Sequence, residues 1–132
     1  MKAVKAKELL IKTDNRIGAL ADLSGIIGSS GVNIRAISAW SAGSEAFFRL
    51  ITSDNLKTKD VLRDNGYSYE ENDVVIVELP DNVGELSSLA AKLKSKGIDL
   101  THIYGTTSKP GYEAIVVFSS NDNDKVISII AL

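Results

Sequence analysis

The pattern of apolar and polar positions predicts the same order of elements twice along the chain. In the first half, an apolar run at 8–12 predicts a strand, positions 20, 23 and 27 follow a helical spacing, and period-two alternation at 32–36 predicts a second strand. A turn at 41–44 leads to a returning strand at 46–51, a helix at 57–65 ends before Gly66, and a short strand at 67–69 follows.

The second half repeats this order at a shift of 66, from Gly18 to Gly84. It predicts a strand at 74–79 that ends at Pro80, a helix that ends near Gly97, a strand at 98–101, a returning strand at 114–118 and a helix at 124–131. Two residues are inserted around Lys109-Pro110-Gly111, and the sequence stops before any counterpart of 67–69. We therefore predict one domain at 1–70 and a second at 71–132 that lacks its last strand.

These elements predict an α+β protein made of two ferredoxin-like βαββαβ units. Each unit should form an antiparallel sheet with its first and third strands in the middle and both helices on one face. Without a closing strand, the nearly all-apolar strand at 74–79 would lie at an open edge, which favours pairing. We expect another segment of the chain, the arm at 1–4, or a partner chain to cover it.

A polar turn joins strand to helix in both halves. The run NRIGAL at 15–20 recurs as DNVGEL at 81–86, with a glycine at the same place. Glycine lets the backbone approach a small polar molecule, although turn geometry alone can require it. A helix N-terminus suits the carboxylate of a free amino acid, and an acid such as Asp81 or Asp14 suits its ammonium group.

Composition and charge exclude several partners. The net charge is −2 and the pI is about 5.4, with no basic run for nucleic acid or an anionic membrane. The absence of cysteine excludes disulfides, thiolate metal sites and thiol nucleophiles. We see no signal peptide and no apolar stretch of about 18 residues, and therefore expect a cytoplasmic protein without membrane contact.

The repeated runs NRIGALADLSGIIGSSGVNIRAI at 15–37 and DNVGELSSLAAKLKSKGIDLTHI at 81–103 resemble the opening of ACT domains, which are small regulatory modules that bind amino acids. The whole chain resembles stand-alone tandem ACT proteins without a catalytic domain. It departs from the family at Ile17 and Val83, where proline is frequent. The resemblance implies an amino-acid-binding sensor or regulator, a homodimer without cofactor, whose ligand lies between the turn of one domain and the sheet edge of its neighbour.

Carried over by position, the resemblance implies two sets of ligand-binding residues. They are Asn15, Arg16, Ile17, Gly18, Leu20, Asn33 and Ile34 in the first half, and Asp81, Asn82, Val83, Gly84, Leu86, Asp99 and Leu100 in the second.

Simpler roles are open for several residues. Arg16 could bind a ligand carboxylate or be solvated, and the lone His102 is more typical of a structural residue than of a metal ligand. Trp40, Phe47 and Phe48 are expected in the core or an interface.

Other functions of this topology fit less well. No nucleophile is paired with a base, so we predict no enzyme and no catalytic residue. Acylphosphatases need a catalytic arginine in a glycine-rich turn, RNA-binding modules need aromatic residues on one face of the central strands, and copper chaperones need cysteines. The alternative function is a protein interaction module that holds no ligand.

Overall fold

The computed structural model describes residues 1–107 and 112–131, so the predicted insertion at Lys109-Pro110-Gly111 lies outside the described residues. The described part contains six strands and four helices. In chain order they are β1 (Lys2–Asp14), α1 (Ala19–Ser29), β2 (Ile34–Ala42), β3 (Glu45–Thr52), α2 (Asn55–Asp64), β4 (Ser68–Pro80), α3 (Glu85–Ser95), β5 (Leu100–Thr107), β6 (Glu113–Ser120) and α4 (Asn123–Ile130).

These elements form two compact units. The first unit is Lys7–Asn72, and the second unit combines Met1–Ala6 with Asp73–Leu132. The strand order is β2-β3-β1-β4 in the first unit and β1-β4-β6-β5 in the second, so β1 and β4 each contribute one part to each unit. The division of the sequence repeat at residue 70 stays a prediction.

In the first unit, both helices pack on one face of the sheet. β1 and β3 are antiparallel, with Leu9 opposite Leu50. Leu23 of α1 and Leu62 of α2 join these two residues in one buried core. The predicted arrangement of helices on a single face, with the first and third strands central, is therefore confirmed for this unit.

The second unit repeats the arrangement and takes its fourth strand from the start of β1. Val75 lies opposite Phe118 across the β4 and β6 pair, and its core includes Leu89 of α3 and Val126 of α4. Ala3 of β1 packs against this core. Of the three covers expected for the strand at 74–79, the structure shows the arm at the start of the chain, since β1 is the neighbour of β4 and Met1–Ala6 belongs to this unit.

An ion pair joins this added strand to α4. The Lys5 ammonium donates to Asp124 Oδ1 at 2.6 Å. The hydrogen bond and the charge of Asp124 raise the pKa of Lys5 above its ordinary value of 10.5. The pair is exposed and helps to hold the first residues of β1 in the second unit.

The lengths of several strands were predicted incorrectly. β1 has 13 residues and not the five at 8–12, and β4 is one strand of 13 residues where two separate strands at 67–69 and 74–79 were expected. The polar residues at 70–73 lie between the two expected strands, but β4 continues through them beside β1. Their side chains avoid the core, and the Glu71 carboxylate accepts a hydrogen bond from Lys59 at 2.9 Å.

Candidate functional site

The two repeated turns share one backbone geometry. Gly18 has φ 85° and Gly84 has φ 88°, values that favour glycine. The Ala19 N–H donates to the Arg16 carbonyl at 3.2 Å, and the Glu85 N–H donates to the Asn82 carbonyl at 3.3 Å. Glycine at positive φ in the third position makes each a type II turn. Turn geometry therefore accounts for both glycines.

The helices that follow these turns lack side-chain caps. Neither α1 nor α3 has a side-chain hydrogen bond at its N-cap glycine. By contrast, Asp54 caps α2 and Asp122 caps α4, each accepting a backbone N–H at 3.0 Å. The first backbone N–H groups of a helix need partners, and an anion can supply them. The beginnings of α1 and α3 are therefore suited to a carboxylate.

A cavity lies beside each turn. In the first unit it has a volume of about 300 Å³, between the turn and the end of β2, and its lining includes Arg16, Leu20, Ala39 and Phe48. In the second unit it has a volume of about 380 Å³, between the turn and β5, and its lining includes Asp81, Leu86, Ile103, Gly105 and Val116. Both are open at the surface and of a size that small ligands occupy.

Within each unit, the structure brings only part of the predicted site together. The residues that line the two cavities are Asn15, Arg16, Gly18 and Leu20 in the first and Asp81, Asn82 and Leu86 in the second. The predicted residues outside these linings, in the described part of the chain, are Ile17, Asn33, Ile34, Val83, Gly84, Asp99 and Leu100.

Asn33 and Asp99 precede β2 and β5, at the opposite end of each strand from the turn. Their backbones bond to the segment after the returning strand. The Asn33 N–H donates to Ser53 Oγ and the Asp99 N–H donates to Asn121 Oδ1, both at 2.9 Å. Within one unit, these residues are therefore separated from the turn by the length of the strand.

The Arg16 side chain forms an ion pair with a residue of α1, the helix that follows it. Its guanidinium donates to the Asp22 carboxylate at 2.5 Å. This hydrogen bond, together with the negative charge of Asp22, raises the pKa of Arg16 above its usual value. Both side chains are about half exposed. A ligand carboxylate would have to compete with Asp22 for this guanidinium.

His102 lies on β5 and has neighbours on the same strand pair. Its Nδ1 is 3.0 Å from Ser119 Oγ, and its ring stacks with Tyr104 at a centroid distance of 6.0 Å. Over residues 1–107 and 112–131, no cluster of histidine, aspartate and glutamate could hold a metal ion. The contacts of His102 are those of a residue packed on the sheet.

The sequence reasoning missed a buried charge on the first unit. Glu8 is fully buried, and its carboxylate accepts a hydrogen bond from Arg49 at 2.9 Å. The Arg49 guanidinium lies 5.2 Å from the ring centre of Trp40, which stacks on Phe47 at 5.3 Å. At the corresponding positions of the second unit, Glu8 and Arg49 are replaced by valines. This difference between the repeats, a charge pair in one and two apolar residues in the other, is the sequence feature that could have indicated the buried ion pair.

Exposed apolar residues recur at corresponding positions beside each cavity. Ile17 and Val83, at the turn tips, are 102% and 106% exposed. In each unit they are accompanied by an exposed leucine in the first helical turn and an exposed isoleucine on the outer strand, namely Leu20 and Ile37 in the first unit and Leu86 and Ile103 in the second. β2 and β5 are the outermost strands in the strand order, so each offers an unpaired backbone edge. Several exposed apolar residues in the turn, helix and outer strand of one unit, together with an open strand edge, favour an interaction site.

Comparison with known proteins places these features in a family. A family model described as ACT domain pair matches residues 4–132. No curated protein matches the chain in sequence. Within the described residues, none of the helices combines the length and apolar character needed to cross a membrane.

Solved structures show the same fold. Protein BT0572 from Bacteroides thetaiotaomicron is 26% identical, with a TM-score of 0.90 over 98% of this chain and 88% of that chain. The ligand-free regulatory subunit of aspartate kinase from Thermus thermophilus is 10% identical, with a TM-score of 0.68 over 99% of this chain and 95% of that one. Aspartokinase III of E. coli, in complex with lysine and aspartate, is 13% identical, with a TM-score of 0.60 over 98% of this chain and 31% of that one.

Proposed function

Because the chain belongs to the family of ACT domain pairs, we propose that it is a regulatory protein that binds a free amino acid between two copies of itself. The observation that carries the proposal is the second unit's cavity, which lies between the first turn of an uncapped helix and an open strand edge. Among proteins of this fold, E. coli aspartokinase III is described in complex with lysine and aspartate.

A second copy would complete the site. If the β5 edges of two copies pair antiparallel about a twofold axis, the start of one β5 lies beside the end of the other. Asp99 and Leu100 of one copy then lie near Thr107 and the turn of its neighbour. This arrangement would unite the two groups of predicted residues that a single unit keeps apart.

The chemistry of the turn fits an amino acid. The backbone N–H groups at the start of α3 can receive the carboxylate, and the Asp81 side chain can accept from the ammonium group. A helix start contributes about 0.3–1 kcal/mol when exposed. Micromolar binding needs about 8 kcal/mol, so side-chain contacts from both copies must supply most of it.

The proposed regulation follows from this shared site. A ligand shifts a conformational equilibrium only through its different affinities for the two states. A ligand held between two copies binds the paired state better than the separate one. Binding would therefore favour assembly, and the assembly state would signal the amino acid concentration.

Thermal unfolding in the presence of each of the twenty amino acids tests the proposal. A ligand that binds only the folded protein stabilises it by RT ln(1+[L]/Kd), about 2.7 kcal/mol at a hundredfold excess over Kd. Asp81→Asn should abolish the response, whereas Asp60→Asn, on the exposed surface of α2 where Asp60 pairs with Arg63, should not. If no amino acid changes the unfolding temperature, the ligand hypothesis fails.

The alternative is an interaction module without a ligand. The exposed isoleucine on each outer strand supports this alternative as well as the ligand-binding function. Pairing of two copies needs only the strand edges and the apolar residues beside them. A chain that dimerises with no thermal response to any amino acid would support this alternative.

A further inference from the structure

We propose that each chain binds one amino acid with an aliphatic side chain, in the cavity of the second unit, and that Gly105 and Val116 determine this choice. The inference rests on the proposed function. It goes further, because it assigns the ligand to one of the two repeats and names the residues that distinguish them.

The same two facing positions form part of each cavity's lining. Gly105 lies opposite Val116 across β5 and β6, and Ala39 lies opposite Phe48 across β2 and β3. In the first unit the Phe48 ring takes part in the buried core and is 4% exposed. Valine is smaller than phenylalanine, and the second cavity is larger, about 380 Å³ against about 300 Å³.

Gly105 is required by close approach and not by backbone conformation. A Cβ atom at this position would lie 2.5 Å from Val116 Cγ1 and 2.8 Å from the Ile115 carbonyl oxygen. Such distances force atoms to move, so an alanine here would displace β5 from β6. Among the other described glycines, no neighbour is nearer than 3.9 Å to the added Cβ. The second unit thus uses a glycine where the first uses Ala39.

The charges beside the two cavities also differ. Asp81 stands where the first unit has Asn15, and Asn82 stands where it has Arg16. The lining of the second cavity includes two carboxylates, those of Asp81 and Glu85, and its described residues include no arginine, so its charge favours an ammonium group. The first cavity is lined by no carboxylate among its described residues, and its charged residue is Arg16, whose guanidinium is paired with Asp22.

The remaining lining of the second cavity indicates the side chain of the ligand. Leu86, Ile103 and Val116 contribute apolar surface. Burial of an aliphatic side chain against them is favourable because it removes apolar surface from water. The Asp81 carboxylate and the α3 N-terminus remain for the ammonium and carboxylate groups of the same molecule.

Amide chemical shifts of the ¹⁵N-labelled chain, titrated with L-valine, L-leucine and L-isoleucine separately and then with a mixture of the other amino acids, test the assignment. We expect one of the three aliphatic amino acids to shift residues 81–86 and 103–107, with one ligand per chain by calorimetry. Equal shifts at 15–20 and 39–41, or two ligands per chain, would overturn the inference and leave the proposed function intact. A response only to the mixture would overturn the aliphatic assignment. No shift anywhere would refute both.

Single substitutions test the contributions of Gly105 and Val116 to ligand affinity separately. Val116→Phe introduces the residue that the first unit carries, and Gly105→Ala introduces the side chain of Ala39. Each should weaken binding by at least about tenfold, because a misfit of only one methylene in a pocket already costs about 10- to 200-fold. Ala39→Gly is the matched control in the first unit and should leave the affinity unchanged. Urea unfolding establishes which variants fold, and unchanged affinity in either folded variant would contradict the assigned role.

Discussion

The exposed turn tip of the second unit provides a direct test of assembly. Val83 is 106% exposed, so Val83→Asp removes no contact within the described chain. Surface substitutions of this kind change the free energy of unfolding by about 0.5 kcal/mol or less. If two copies pair along β5, Val83 becomes buried against its neighbour, and an aspartate there would be desolvated.

The expected loss follows from the area buried. Full burial of a valine contributes about 1.5–3 kcal/mol, and a twofold interface buries two of them. Their removal would cost about 3–6 kcal/mol, which raises the dimer Kd by about 10² to 10⁴. Sedimentation equilibrium over a range of protein concentrations measures this constant directly.

The control is a residue of similar character elsewhere. Leu56 on α2 is 74% exposed, so Leu56→Asp makes the same change in polarity without touching either turn. It should leave the dimer constant unchanged. If Val83→Asp dimerises as the unaltered chain does, or if Leu56→Asp weakens the dimer equally, the assigned interface is wrong.

Three further predictions concern stability. Arg49→Val should lower the free energy of unfolding by about 3–5 kcal/mol because Glu8 loses its guanidinium partner, and E8V/R49V should recover most of that loss in urea unfolding. Lys5→Met should destabilise the protein below pH 10.5 but not far above it, because Asp124 raises the pKa of Lys5 and that stabilisation disappears as pH rises through the folded-state value; equal effects at both pH values would contradict this. Gly84→Ala should cost about 1–2 kcal/mol in thermal unfolding from backbone strain at φ 88°, and an unchanged midpoint would contradict the type II turn.

Local signals predicted the turns and the start of each helix. Gly18 and Gly84 mark the turns because the required φ is a property of one residue and its neighbours. The apolar spacing at 20, 23 and 27 predicted one face of α1, and Leu23 and Ile27 are buried as that spacing indicates, whereas Leu20 is 50% exposed. Such features need no knowledge of distant parts of the chain.

Strand lengths and the buried charge depend on partners far along the chain. The polar segment at 70–73 belongs to β4, whose neighbour in the sheet is β1, a segment more than 50 residues earlier in the sequence. Glu8 is buried because Arg49, 41 residues away in sequence, reaches its carboxylate. Neither the pairing of β1 with β4 nor that of Glu8 with Arg49 has a local signature in the sequence. The sequence pattern therefore predicted two strands in place of β4 and did not indicate the buried ion pair.

The difference between the two cavities was present in the repeat but needed the structure to interpret. Ala39 and Gly105 align at a shift of 66, whereas Phe48 and Val116 align at 68 because of the inserted residues between them. Only the observed register places each pair face to face. Alignment of the two repeats identifies the two substitutions, but it does not show that the substituted residues face each other.

The second unit is built from two segments that are separated in sequence by the whole of the first unit, and this affects the order in which they can fold during synthesis. The first six residues leave the ribosome early, but their partner in β4 is made only after about 70 more residues have been joined. Residues 1–6 therefore remain unpaired while Lys7–Asn72 emerges, and the second unit closes only after Asp73 and the residues that follow it have been made. A ribosome that stalls before α4 would release a chain with this unit still open, and its apolar strands would be exposed to aggregation.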